Sequence, residues 1–151
     1  MKVKIRTIAP EEEEYAVLHT NRQDASLERL KHYIESEDYD TVEIQAGKND
    51  EICFVISSDV CYIESVQDIQ YIHTQEDIYT SRMRLYAFLD SLPRWFVRAS
   101  RSTIINLRQI KRYIPLSGGL MQAEFSNGEY TYISRKYVGE IRRFLKEAKI
   151  R

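Results

Sequence analysis

Residues 96–113 read FVRASRSTIINLRQIKRY, and the rest of the chain is best understood outward from them. Phe96 opens an extended segment in which Arg98 and Arg101 alternate with the small residues Ala99, Ser100 and Ser102. The apolar run Thr103–Ile105 then stops at Asn106, and Arg108, Lys111 and Arg112 form a second group of cations. Apolar runs this short, bounded by polar residues, have the length of strands, not helices. The cations therefore fall where strands give way to irregular chain. An arginine fork matches phosphate and also the O6/N7 edge of guanine. Neighbouring serines hydrogen-bond phosphate oxygens and are small enough to let a backbone approach a nucleic acid. For Arg108, Lys111 and Arg112 a solvated face is an equally physical reading, and Asn106 fits a bond to its own backbone.

C-terminal to this stretch, Asn127-Gly128 between alternating segments predicts a two-residue hairpin with both central residues at positive φ. Ser134, Arg135 and Lys136 follow it and open an amphipathic helix carrying Tyr137, Ile141, Phe144 and Ala148 on one face, with Lys146, Lys149 and Arg151 suited to its C-terminal end. Cations at a helix N-terminus oppose the helix dipole; a bound anion there removes the conflict. N-terminal to the stretch, Leu85, Phe88, Leu89 and Leu92 mark a helix that Pro93 ends. Trp95 and Phe96 are expected to anchor the next segment to the core. Residues 41–80 read as strands throughout, with Ile52, Phe54 and Ile56 sharing one face. The first 40 residues predict a small ββα unit: strands at VKIRTI (3–8) and YAVLHT (15–20), then a helix capped by Asp24.

Composition narrows the function. A chain with 43% hydrophobic and 30% charged residues is globular, and no apolar run reaches the roughly 20 residues a membrane helix needs. Cys53 and Cys61 lie in apolar strand-like runs and predict reduced thiols, and with no signal peptide in view the cytoplasm is the expected compartment. His19, His32 and His73 stand at no metal-ligand spacing to either cysteine, so neither a metal site nor a cofactor is expected. No phosphate-cradling glycine loop, nucleophile elbow or acid–base arrangement is present, and an enzyme is not expected. The net charge of −1 conceals a division: residues 1–93 hold 9 Lys and Arg against 19 Asp and Glu, a net −10, whereas residues 94–151 hold 13 against 4, a net +9. That segregation fits either a polyanion-binding surface or an internal neutralisation of the two halves.

Three motifs in order decide between them. VCYIES (60–65), FVRASRSTIINLRQI (96–110) and FSNGEYTYISRKY (125–137) resemble the LytTR DNA-binding domain, whose pattern includes Phe-x-Arg-x-His-Arg-Ser and, after Asn-Gly, Ser-Arg-x-Tyr. The resemblance runs from about Val42 to Glu147; Ser100 departs from it where a histidine is usual. It implies a mainly β fold with a few helices, α+β, in short antiparallel sheets over residues 41–151, with residues 1–40 as an extension for dimerisation or partner contact. It also implies that loops, not a recognition helix, read successive major grooves of double-stranded DNA. Carried over by position, Arg101 and Arg135 would read bases. Gln67 and Asp68 would approach DNA from another loop, and Arg98, Ser100, Ser102, Asn106, Ser134 and Lys136 would grip the backbone or support the site.

The function that follows is a sequence-specific bacterial transcriptional regulator, acting as a homodimer on repeated half-sites. The competing reading is a protein-interaction or RNA-binding β module whose basic face meets an acidic partner. With only about 40 residues ahead of the domain, no receiver domain is expected. Stand-alone members of this kind are often encoded beside a small membrane protein that restrains them, which makes such a protein a candidate partner; a small-molecule substrate is not expected.

Overall fold

The structure, a computed structural model, describes residues 1–147, so the expected places of Ala148, Lys149 and Arg151 lie outside the described residues. The chain divides into two compact units, Met1–Asp40 and Thr41–Arg151.

In the first unit the helix α1 spans Ala25–Glu35. Asp24 caps it as expected, its Oδ1 accepting from the Ser26 and Leu27 amides at 3.0 and 3.1 Å. The two expected strands are not formed: residues 3–8 and 15–20 carry no strand pairing, and Val3 and Ile5 are 81% and 94% exposed. Alternation favours a strand only when a neighbouring ladder and an apolar surface accept it. A lone two-stranded ribbon has neither and is marginal in water. A turn around Pro10, closed by Glu12 N–H to Ala9 O at 3.0 Å, is what remains of the predicted reversal.

Among its described residues the second unit holds ten strands: β1 (Glu43–Lys48), β2 (Glu51–Ile56), β3 (Val60–Val66), β4 (Ile69–Thr74), β5 (Ile78–Ser81), β6 (Phe96–Ser100), β7 (Thr103–Asn106), β8 (Ile110–Pro115), β9 (Met121–Phe125) and β10 (Tyr130–Ile133). Helix α2 (Leu85–Ser91) precedes β6 and α3 (Arg135–Glu147) follows β10. The pairings are antiparallel and build a seven-stranded sheet, ordered β2-β1-β5-β4-β3-β7-β6, and a three-stranded sheet, β10-β9-β8. The fold is thus mainly β with few helices, as the sequence implied.

Each face of the large sheet buries its own core. On one face Ile44, Val55, Ile63, Ile72 and Ile104 meet Leu85, Phe88 and Leu92 from the α2 region. On the other, Tyr62, Ala99 and Ile105 meet Met121, Ala123, Phe125 and Ile133 of the small sheet and Ile141 of α3. Tyr62 stacks between His73 and Phe125, with ring centroids 4.0 and 5.1 Å away. Trp95 and Phe96, each 5% exposed, anchor β6 as expected. Ile52, Phe54 and Ile56 do share a face of β2, yet it points outward, at 70%, 62% and 50% exposure. Alternation identifies a shared face but not which face is covered.

The β9–β10 hairpin corrects a second expectation. Asn127 lies outside the positive-φ region; only Gly128 adopts it (φ 88°). Phe125 N–H bonds Glu129 O at 2.8 Å and Gly128 N–H bonds Phe125 O at 3.0 Å, enclosing a three-residue loop of Ser126, Asn127 and Gly128. Such loops end in one left-handed residue, where glycine has no Cβ penalty. Asn127 serves differently: its Oδ1 accepts from Glu129 N–H at 3.0 Å and its Nδ2 donates to Thr74 O at 3.3 Å, tying the small sheet to the large one. Two-residue turns with both centres left-handed occur instead at Asn49-Asp50 and Gln67-Asp68.

Candidate nucleic-acid interface

Three connections converge at one end of the large sheet because of strand register. Glu64 pairs with Thr103 and Ser100 pairs with Thr103, so the β3–β4 turn and the β6–β7 turn leave the sheet on the same side. A bond from Ser65 N–H to Ser102 O (2.8 Å) ties the first turn to the second. Another, from Ser134 N–H to Ala99 O (2.8 Å), fastens the start of α3 beside β6. Gln67, Asp68, Arg101, Ser102, Arg135 and Lys136, contributed by segments up to about seventy residues apart, are all exposed along this edge, with Arg98, Ser100 and Ser134 partly buried behind them.

The β6–β7 turn is braced from within. Arg98 Nη1 donates to Arg101 O at 3.0 Å, and Ser100 Oγ accepts from Ser102 N–H at 3.2 Å. The Ser100 and Ser102 hydroxyls lie 3.4 Å apart. Ser100 thus turns its hydroxyl back onto the loop, a local side-chain-to-backbone bond typical of serine in turns. A register shift between Arg98 and Ser100 marks a bulge, a device that re-aims side chains. The β3–β4 turn is held by the Ser65 hydroxyl, which donates to Gln70 Oε1 at 2.9 Å, while the Gln70 amide, 1% exposed, donates to Met83 O.

The cations differ in what they are already doing. Arg112 forks onto Glu124 (Nε–Oε2 2.5 Å, Nη2–Oε1 3.0 Å), and that hydrogen bonding holds the Glu124 carboxyl below its ordinary range. Arg94 and Arg108 flank the Trp95 ring at 4.4 and 3.8 Å, a cation–π arrangement on the scaffold. Arg84 pairs with Asp68 at 3.3 Å and so neutralises the one carboxylate at the β3–β4 tip. Among the described residues, no carboxylate or hydrogen bond engages the guanidinium of Arg101 or Arg135, nor the ammonium of Lys136. Asn106 stands apart from the edge: it is 2% exposed, donates to Val60 O at 2.9 Å and accepts from Arg108 N–H at 3.1 Å. Its place is in the scaffold. Arg84 and the support from Ser65 and Gln70 were not singled out from sequence, because only the register brings them to the turn.

Residues 50–146 match the LytTr DNA-binding domain family. The chain belongs to that family. A solved LytTr DNA-binding domain, from a Bacillus cereus protein described as a methyl-accepting/DNA response regulator, superposes with a TM-score of 0.65 at 28% identity, over 68% of this chain and 95% of that one. Uncharacterised HTH-type transcriptional regulators of Staphylococcus aureus are similar along nearly their whole length: 26% identical in strain NCTC 8325 / PS 47 and 27% in bovine strain RF122/ET3-1, over 94% of this chain and 96% of each relative. In this LytTR chain strands separate every pair of described α-helices, so no helix-turn-helix unit is formed among the described residues. No helix of the described residues is long and apolar enough to cross a membrane.

Proposed function

We propose that this protein is a transcriptional regulator that reads specific double-stranded DNA through the loop edge described above. The observation that carries the reading is that Arg101 and Arg135 present uncommitted guanidinium groups from two rigidly joined segments of that edge. Each can make a bidentate contact to guanine in a major groove, while Arg98, Ser100, Ser102, Ser134 and Lys136 serve phosphates or brace the loops. Gln67 and Asp68 approach DNA from the β3–β4 turn. The cytoplasm is the corresponding compartment.

Homodimer binding to repeated half-sites belongs to the same proposal, since a monomer reading few bases gains affinity from a linked second site. Support comes from β2, an edge strand whose outward Ile52, Phe54 and Ile56 form an uncovered apolar row suited to a second copy. Residues 1–40 are proposed as a contact for a dimer mate or for a small membrane protein.

The test is selection of bound duplexes from a random pool, followed by gel-shift titration of wild type, Arg101→Ala and Arg135→Ala on the selected site. Loss of preference for the selected site in each variant is expected. Equal preference in wild type and both variants would overturn the base-reading assignment, and failure to enrich any duplex would favour RNA or an acidic protein as the partner.

A further inference from the structure

We infer that Gly119 is a positioning residue for Arg135: the bare Cα of the β8–β9 turn is the wall against which the arginine stem lies, and it sets where the guanidinium points. The inference rests on the proposed base-reading role of Arg135. Pro115 ends β8, Ser117–Gly119 form a tight turn, and Leu116 N–H closes the connection onto Leu120 O at 2.9 Å. Gly118 and Gly119 both lie at positive φ, 75° and 80°. Their surroundings differ. A Cβ on Gly118 would meet nothing within 4 Å, whereas one on Gly119 would sit 2.9 Å from Cδ and 3.0 Å from Cγ of Arg135.

Those two methylenes are the middle of the arginine stem, not its mobile end. Bringing a Cβ inside normal contact distance forces the stem into another rotamer, and rotation there swings the guanidinium. A base-edge contact tolerates little redirection, because bidentate pairing needs both N–H groups in plane with the acceptors. A phosphate contact tolerates more. Arg135 also sits at the first position of α3, whose backbone is fastened through Ser134 to β6. With the backbone fixed from one side and the stem from the other, a long flexible side chain is pre-organised, which lowers the ordering cost of binding.

The two glycines supply the control. Gly118→Ala and Gly119→Ala impose comparable left-handed strain, but only the second meets Arg135. A parallel pair, Gly118→Asn and Gly119→Asn, covers poor folding of the alanine variants, since asparagine tolerates left-handed backbone better. The affinity ratio between the selected duplex and a scrambled one is measured for each, with Arg135→Ala and the Gly119→Ala/Arg135→Ala double variant. Arg135→Ala is expected to lower that ratio by about 5- to 150-fold. Gly119→Ala and Gly119→Asn should lose most of the same ratio with the salt dependence unchanged, and the Gly118 variants should keep it. The double variant should be no worse than Arg135→Ala alone, the non-additivity of residues acting through one contact. If Arg135→Ala loses the ratio while the Gly119 variants match their Gly118 controls, the inference is overturned and the base-reading role stands. If Arg135→Ala keeps the ratio, the base-reading role falls and takes this inference with it.

Discussion

Arg135 and Lys136 are adjacent, exposed and equally cationic, yet removing them should damage DNA binding in different ways. Arg135 has its stem against Gly119, whereas the Lys136 ammonium, a point charge on a flexible stem, rests 5.3 Å from the centroid of the Tyr137 ring. A directed fork suits a base edge, and a swivelling point charge suits a phosphate. For Arg135→Ala the expected loss is the discrimination of one bidentate pair, about 1–3 kcal/mol, or roughly 5- to 150-fold, confined to the selected site. For Lys136→Ala the loss is one phosphate contact, which reduces the steepness of log K against log salt by about 0.9. Over a fourfold range, from roughly 50 to 200 mM, one such contact corresponds to about a 3.5-fold change in affinity. The Lys136→Ala deficit should therefore shrink by that factor from low to high salt, on the selected and the scrambled duplex alike. Folding should interfere little, because both side chains are exposed and a cation leaving a helix N-terminus favours the helix. Fluorescence anisotropy titrations of both duplexes across the salt series give both quantities. An Arg135→Ala variant weakened equally on both duplexes would show that its guanidinium holds phosphate, and a Lys136→Ala variant with an unaltered salt slope would remove the phosphate assignment.

Other expectations concern the scaffold. Phe125→Ala removes a ring 1% exposed and stacked on Tyr62, and should cost about 3–5 kcal/mol of unfolding free energy in urea titrations. Gln70→Leu strands the Ser65 hydroxyl and the Met83 carbonyl and should cost about 1–3 kcal/mol in the same assay. Burial, with a smaller contribution from Glu129, pushes the Cys61 thiol up from 9.0 to about 11. Native protein should therefore react with a thiol reagent at the half-buried Cys53 well before Cys61, and equal rates would contradict the packing of β3. The folded state holds the Cys61 proton more tightly than the unfolded chain, so its contribution is full below about pH 9 and is lost as pH rises towards 11. Cys61→Ala should flatten the alkaline fall in stability, by at most about 2–3 kcal/mol.

How much of the molecule was legible in its residues depended on whether a feature was local. Asp24 announced the cap of α1, and Leu85, Phe88 and Leu92 with Pro93 announced α2, because caps, helical periodicity and proline act within a few residues. The three motifs likewise carried the family, and Arg101 and Arg135 are proposed from the same resemblance. Local signals failed where a distant partner was required. VKIRTI alternates as a strand should, but no ladder or covering surface receives it. Ile52, Phe54 and Ile56 alternate correctly and face outward, because the buried core on that side of the sheet is built where the small sheet and α3 lie, and these three are not part of it. Asn127-Gly128 marked a hairpin, but a three-residue loop took the place of the expected two-residue turn.

The same division runs through the edge proposed to meet DNA. By itself the sequence determined which residue types could meet DNA: forked cations, small hydroxyls and a helix start among strands. Only the tertiary structure decided which cations remain available, since Arg112 is taken by Glu124, Arg108 lies on Trp95 and Arg84 is paired with Asp68. It also placed Gly119 beside Arg135. The physical reason is that charge and hydrogen-bonding capacity are properties of a residue, whereas commitment and direction are properties of its neighbours, and in a sheet those neighbours are set by register across long stretches of chain.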